Sequence, residues 1–283
     1  MPWSRNMDWS IFYNTPDSLQ SLYLSRLGME KEKPSKAYLD ALVKKHQEVI
    51  PFENIDVTDY KREISLFPKN IMEKVLVKRR GGFCFELNGL FCMFLRTLGF
   101  DAWMCPSRQL RHGETYSVPA THCGILVNLG RTRLFCDVGY GGPNPRGSIK
   151  IEKKTIQTVE NEIFYLDDYG TFGNQKEALN ETPSGWLTLV RISDKDERKK
   201  ELPLITIGLM QCILPDLYGN SKVRSTGDTA YCERHASIKL PDGGFYDLTG
   251  NRLKIKMQQD IEVFSVVEKD IPEILQKYFK IYE

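Results

Sequence analysis

The chain lacks long apolar runs. The longest unbroken apolar stretch, Gly89 to Leu95, is seven residues, where a membrane-spanning helix needs about twenty. The first residues, MPWSRNMDWS, contain no apolar h-region, so no signal peptide is expected. An excess of one charge is missing too. Thirty-nine Lys and Arg against 37 Asp and Glu leave +2, without the basic domain or stripe of a nucleic-acid protein. The four histidines are His46, His112, His122 and His235, and the seven cysteines are Cys84, Cys92, Cys105, Cys123, Cys136, Cys212 and Cys232. No cysteine pair has C-x-x-C spacing, which removes zinc ribbons and thioredoxin-type motifs. His122 and Cys123 are neighbours, but no further Cys or His clusters near them, so no metal is expected. An odd cysteine count without a signal peptide points to reduced thiols and a cytoplasmic protein. With 41% hydrophobic residues the chain is not disordered. At 283 residues it allows one to three domains and a core needing no covalent staples.

Helical periodicity dominates the first hundred residues. Ser18 to Leu27 sets Leu19, Leu22, Tyr23 and Leu27 on one face, and Gly28 follows as a stop. Pro34-Ser35 opens a second helix bearing Tyr38, Leu39, Leu42, Val43 and His46. Asn70 is placed to cap a helix over Ile71 to Val77. A fourth helix is expected from Cys84 to Leu98, burying Leu87, Leu90, Phe91, Phe94, Leu95 and Leu98 before Gly99 ends it. From about residue 100 to 200, short β-rich runs take over at Ala102 to Cys105, Thr121 to Val127, Arg133 to Val138 and Trp186 to Ile192. The polar run from Lys195 to Glu201 reads as a solvated connector. The remaining residues combine strands (Ala236 to Leu240, a PDGG turn, Phe245 to Leu248) with a helix over Ile271 to Phe279.

One segment carries chemistry. In RRGGFCFELNGLF, Arg79 to Phe91, two glycines precede a cysteine that opens a helix. The glycines permit a close backbone approach. Cys84 then lies in the first helical turn, where free N–H groups and the macrodipole favour a thiolate. The bland alternative is a helix stop followed by a buried cysteine acting as a small hydrophobe. A nucleophile needs a base. Strand alternation puts His122, Gly124 and Leu126 on one face, and a two-residue turn at Leu129-Gly130 would set His122 directly opposite Asp137. That Asp could hold one imidazole nitrogen while the other faces Cys84, the logic of a nucleophile–base–carboxylate triad. A satisfied polar pair is the rival reading for His122 and Asp137 alone.

These residues resemble the arylamine N-acetyltransferase family. PFEN at Pro51 to Asn54, RGGFCFELNGLF at Arg80 to Phe91, THCGILV at Thr121 to Val127 and DVGYGG at Asp137 to Gly142 look like its signature blocks in order. The Cys–His interval of 38 and the His–Asp interval of 15 also fit. The resemblance implies an α+β, cysteine-protease-like architecture in three parts: a helical bundle over 1–98 carrying the nucleophile, a β-barrel over 99–204 carrying His and Asp, and an α/β lid over 205–283. It implies Cys84, His122 and Asp137 as catalytic residues, with substrate contacts from Phe52, Thr121, Gly139 and Tyr140. Tyr140 stands where phenylalanine is more usual, a change aimed at aryl specificity. The last eighty residues match too loosely to carry coenzyme A contacts across.

The implied reaction is ping-pong acetyl transfer, with acetyl-CoA as donor and an arylamine or arylhydrazine as acceptor through an acetyl-thioester on Cys84. Glycines of GYGGPNPRG, Gly139 to Gly147, could approach a CoA phosphate, but the pattern is neither a P-loop nor G-x-G-x-x-G and reads as a simple loop. Two rivals keep the same residues. A papain-like or transglutaminase-like enzyme would act on peptides without CoA, and a non-catalytic binding protein would hold an inert cysteine.

Overall fold

The computed structural model describes residues 16–109, 120–168, 185–195, 198–225, 233–258 and 260–282. Its first part is helical. α1 (Leu19–Leu27) stops at Gly28, whose φ of 65° lets Met29 N–H return to Leu24 O at 3.1 Å. α2 (Lys36–Val49) starts on Ser35, whose Oγ accepts from Tyr38 N–H at 3.1 Å. A two-residue strand β1 (Phe52–Glu53) and a short helix α3 (Ile55–Thr58) follow. α4 (Pro68–Met72) then runs into a π-helical turn over Glu73–Val77. Asn70 does not cap this helix but lies inside it. Pro68 occupies the first turn, where a missing N–H costs nothing, and the Asn70 side chain instead donates to Ser65 Oγ at 3.0 Å.

α5 (Cys84–Thr97) is the axis of this part and is buried on every side from Cys84 to Leu95. Leu87, Phe91, Phe94 and Leu95 are each at most 1% exposed, and Tyr23 stacks on Phe94 with ring centroids 4.1 Å apart. Each such side chain contributes about 1.5–3 kcal/mol by leaving water. That packing holds the helix start, and hence Cys84, rigidly in place.

Eight antiparallel strands form the second part: β2 (Asp101–Gln109), β3 (His122–Leu129), β4 (Thr132–Cys136), β5 (Ile149–Lys150), β6 (Gln157–Val159), β7 (Glu162–Asp168), β8 (Trp186–Lys195) and β9 (Arg198–Gly208). They pair in the order β5-β4-β3-β2-β9-β8-β7-β6. The sheet curls into a nearly closed barrel filled by Leu126, Phe135, Phe164, Leu166, Leu189 and Ile205. Gln157 stitches the two edge strands, accepting from Lys150 N–H at 2.7 Å and donating to Lys150 O at 3.0 Å. The described residues of the polar run, Lys195 and Arg198 to Glu201, are strand rather than connector. They continue the β8–β9 ladder, with Ser193 opposite Lys200 and Lys195 opposite Arg198. Backbone pairing does not require an apolar face, so a polar hairpin can extend beyond the filled barrel.

The third part is a five-stranded antiparallel sheet ordered β1-β10-β11-β12-β13, with β10 (His235–Lys239), β11 (Phe245–Thr249), β12 (Arg252–Met257) and β13 (Asp260–Ser265). α6 (Tyr218–Ser225) precedes it. α7 (Ile271–Phe279) covers it, burying Ile271, Leu275 and Phe279 with Ala236, Leu248 and Leu253. Because β1 pairs Phe52 with Ser237, the PFEN segment ties the helical part to this sheet. Among the described residues, no helix is long and apolar enough to cross a membrane.

Candidate active site

The turn before Cys84 is built from glycine and buried charge. Gly82 bridges Phe52 of β1, with Glu53 N–H donating to Gly82 O at 2.9 Å. A Cβ on Gly81 would lie 2.2 Å from Pro51 O, so only glycine lets the two segments touch. Beneath them, Lys74 Nζ meets Asp56 at 2.7 Å, Glu86 at 2.9 Å and Glu53 at 3.5 Å, and Arg80 reaches Glu53 and Asp56 at 2.8 Å each. Burial disfavours the Lys74 cation, but Glu53, Glu86 and Asp56 outweigh it and hold its pKa up. Burial raises the Glu86 carboxyl, while Lys74 and the Phe83 N–H oppose that shift. Glu86 Oε2 accepts from Phe83 N–H at 2.8 Å, satisfying a helix-start donor and fixing where Cys84 begins the helix.

His122 opens β3 and Asp137 follows the last residue of β4. The turn between these strands is Gly130-Arg131, with Gly130 at φ 61° and Leu129 paired with Thr132. The Leu129-Gly130 turn is therefore corrected by two residues along the ladder, and Asp137 is not His122's cross-strand partner. A shift of two preserves the faces of both strands, and the chain leaves the ladder after Cys136, bringing the Asp137 carboxylate onto the ring. His122 Nε2 donates to Asp137 Oδ2 at 2.6 Å, with the two residues only 0% and 2% exposed.

Asp137 is held from several sides. Its Oδ1 accepts from Asn88 Nδ2 at 2.9 Å and Gly139 N–H at 2.8 Å. Its main-chain oxygen accepts from Gln47 Nε2 at 2.9 Å and Asn144 Nδ2 at 2.8 Å. Burial raises its carboxyl, but His122, Asn88 and the Gly139 N–H reverse the shift and leave it below the ordinary value. Burial likewise opposes charge on His122, yet Asp137 and Cys84 outweigh it and push the imidazole up to about 10. The other ring nitrogen, Nδ1, is buried and has no hydrogen-bond partner among the described residues.

Cys84, His122 and Asp137 are thus brought together. The Cys84 thiol points at Thr121 O, 3.9 Å away. A Cβ on Gly139 would lie 2.9 Å from Cys84 Cα and Cys84 O, so the glycine crosses directly over the cysteine. Tyr140 sets its ring edge-on to His122 at 5.6 Å and donates its hydroxyl to Leu204 O at 3.2 Å. Phe52 lies against Phe83 and His235, with centroids 5.7 and 5.1 Å away. The Phe52, Thr121, Gly139 and Tyr140 positions therefore all adjoin Cys84, His122 or the turn before Cys84.

Other residues emerged only in three dimensions. Asn88 binds Asp137 and also accepts from Val138 N–H at 2.9 Å. Its one visible signal was its spacing, one helical turn beyond Cys84. His235 pairs with Asp247 at 3.0 Å beside Phe52. His46 belongs to the core. Tyr23 donates to its Nδ1 at 2.7 Å, and burial, then Arg26, drive its pKa down to about 3. His112 and Cys232 lie outside the described residues. Among the described residues, no group of three or more His, Cys, Asp or Glu gathers as metal ligands.

Comparison with known proteins bears on the fold and the family. A family model described as N-acetyltransferase matches residues 37–282. The arylamine N-acetyltransferase of Escherichia coli K12 is 40% identical over 121 residues, 43% of either chain. Across the bacterial curated relatives such matches span about half of the relative's length, from 43% to 56%. The solved arylamine N-acetyltransferase of Salmonella typhimurium superposes with a TM-score of 0.79 at 25% identity, covering 93% of this chain and 91% of its own. That of Mycobacterium marinum in complex with CoA gives 0.79 at 24% identity, covering 93% and 92%. The fold is the three-part, cysteine-protease-like one, and the chain belongs to the arylamine N-acetyltransferase family.

Proposed function

We propose that the protein transfers an acetyl group from acetyl-CoA to an aromatic amine or hydrazine, through a thioester on Cys84. The observation that carries this reading is the buried His122–Asp137 pair at 2.6 Å beside a cysteine in the first turn of α5. Relatives named as arylamine N-acetyltransferases, one solved with CoA, support the donor and acceptor classes. We assign the three parts near the expected bounds of 1–98, 99–204 and 205–283, with β9 carrying the barrel on to Gly208. The chemistry needs a partner that holds the Cys84 proton as an imidazolium until CoA leaves, and His122, pushed up to about 10, suits that.

In this mechanism His122 Nδ1 takes the Cys84 proton, and Asp137 stabilises the imidazolium and fixes its orientation. The thiolate adds to the acetyl carbonyl. The C–S bond to CoA breaks, and the CoA thiolate leaves with a proton from His122. The amine nitrogen then attacks the Cys84 thioester, His122 accepts the nitrogen's proton, and Cys84 is released. Phe52 and Tyr140 supply aromatic surfaces that suit a flat acceptor, and Tyr140, edge-on to His122, is the specificity position. Thr121 and Gly139 line the approach to sulfur. The free cysteines Cys84, Cys92, Cys105, Cys123, Cys136 and Cys212 suit a reducing cytoplasm.

Initial rates against acetyl-CoA at several arylamine concentrations test the reading. Parallel lines are expected from a covalent two-step exchange. Intersecting lines, with activity persisting in Cys84→Ser, would replace it with direct transfer to the amine.

A further inference from the structure

Two buried polar atoms without partners sit side by side where β3 begins. Ser107 on β2 pairs directly with His122 on β3, and directly opposed residues carry their side chains on one face, about 5 Å apart at Cβ. Both residues are 0% exposed. Among the described residues, neither Ser107 Oγ nor His122 Nδ1 has a hydrogen-bond partner. The other neighbours of Ser107 on this face are Ile207, its partner on β9, and Cys105, two residues earlier, both part of the apolar barrel filling. Burial pushes the Cys105 thiol well above its ordinary value, and the Ser107 hydroxyl opposes that shift with its hydrogen turned toward sulfur. Such a hydroxyl keeps its oxygen lone pairs open to a donor. Alanine would fill nearly the same space with no polar atom left over, so the hydroxyl calls for a role.

We propose that Ser107 Oγ and His122 Nδ1 together receive the two N–H bonds of a primary amine as it attacks the acetyl group on Cys84. The inference rests on the acetyl-transfer reading and adds Ser107 to it as a specificity residue for acceptors ending in NH2, anilines and hydrazines alike. Two acceptors served by one NH2 group, each at about 3 Å, lie about 5 Å apart, a separation that short side chains on an opposed pair span. With one hydrogen on each, the nitrogen lone pair is left to point at the thioester carbonyl. The C–N bond forms as the C–S bond to Cys84 breaks. His122 passes its hydrogen to the departing sulfur, and the hydrogen held by Ser107 stays on the amide nitrogen. Burial does not put Ser107 out of reach, because Cys84 is itself 3% exposed and His122 0%, and an acceptor that meets them enters the same enclosed space. CoA brings a single S–H and needs only His122, so Ser107 acts in one half-reaction and not the other.

The test is Ser107→Ala in the full chain, with each half-reaction followed separately by rapid-quench mass spectrometry. Loading of Cys84 from acetyl-CoA, and return of the acetyl group to free CoA, should match the parent within about twofold. Transfer from the loaded protein to aniline or phenylhydrazine should slow about tenfold, the scale of one lost hydrogen bond. The melting temperature should equal or exceed the parent's, since the variant loses only an unpaired hydroxyl. Unchanged transfer to the amines, equal slowing of both half-reactions, or loss of the fold in Ser107→Ala would overturn the proposal. A parent chain that takes no acetyl group from acetyl-CoA would overturn the acetyl-transfer reading itself, and this proposal with it, which is a different result from normal loading with no amine effect.

Discussion

Asp137→Asn removes one charge and keeps the shape, and the surroundings dictate how the new amide must sit. Oδ1 is held by two donors, Asn88 Nδ2 at 2.9 Å and Gly139 N–H at 2.8 Å. The asparagine carbonyl must therefore stay at that position, which places its NH2 where Oδ2 now meets His122 Nε2 at 2.6 Å. A donor facing Nε2 forces that nitrogen to accept, and the single proton of a neutral imidazole moves to Nδ1. The ring then has no lone pair for the Cys84 proton. Burial, no longer opposed by Asp137, also disfavours the imidazolium. The same change in a serine-protease triad lowers turnover about ten-thousandfold, through the wrong tautomer. A loss of about 10³ to 10⁴ in kcat/KM is expected here, equivalent to about 4 to 5.5 kcal/mol of transition-state stabilisation. Single-turnover acetylation by acetyl-CoA, followed by rapid-quench mass spectrometry, measures the first step without the acceptor. A folded variant within about tenfold of the parent would refute the tautomer reasoning.

Other perturbations follow from the same contacts. Gly139→Ala pushes a methyl to 2.9 Å from Cys84 backbone atoms, so thermal unfolding should show a loss of about 1–3 kcal/mol, as overpacking typically costs. Lys74→Met leaves Glu86 and Glu53 buried without their shared cation. Chemical denaturation should report about 3–5 kcal/mol of destabilisation, and an unchanged midpoint would mean the network is dispensable. Phe91→Ala, at a fully buried position, should cost about 3–5 kcal/mol in the same assay. For pH, the folded-state His122 is raised to about 10 from an ordinary 6.5. Its contribution to stability is fully present below about 6.5 and is lost as pH rises through about 10. Urea midpoints should fall over that alkaline range in the parent, and much less in Asp137→Asn.

Much of the frame was legible because local signals agreed with tertiary demands. α1, α2 and α7 carry their apolar faces at helical spacing and are bounded by residues that act as stops or caps, such as Gly28 and Ser35. α5 was legible in extent but is buried on every side rather than on one face, because the barrel covers what a lone helix would show to water. Asn70 looked like a cap on its residue type, whereas Pro68 two residues earlier already set the helix start. The β3–β4 turn was misplaced because Leu129-Gly130 and Gly130-Arg131 both offer a glycine, and only the ladder decides between them. β13 was not read, although Ile261 and Val263 alternate with Asp260 and Glu262, an alternation whose apolar members stay exposed. In the candidate site, Cys84, His122 and Asp137 announced themselves through residue type and order. Asn88, Gln47 and the Lys74–Arg80 charge cluster did not, since their meaning depends on segments far away in the chain.

The central claim is that an acetyl group rests on one particular sulfur between two substrates. Incubating the protein with acetyl-CoA and no acceptor, then measuring intact mass and mapping the modified peptide, tests it most directly. The account predicts one acetyl group per chain, on Cys84, absent in Cys84→Ser and removed when an arylamine is added. An unmodified protein, or an acetyl group on Cys123 or any other residue, would contradict it.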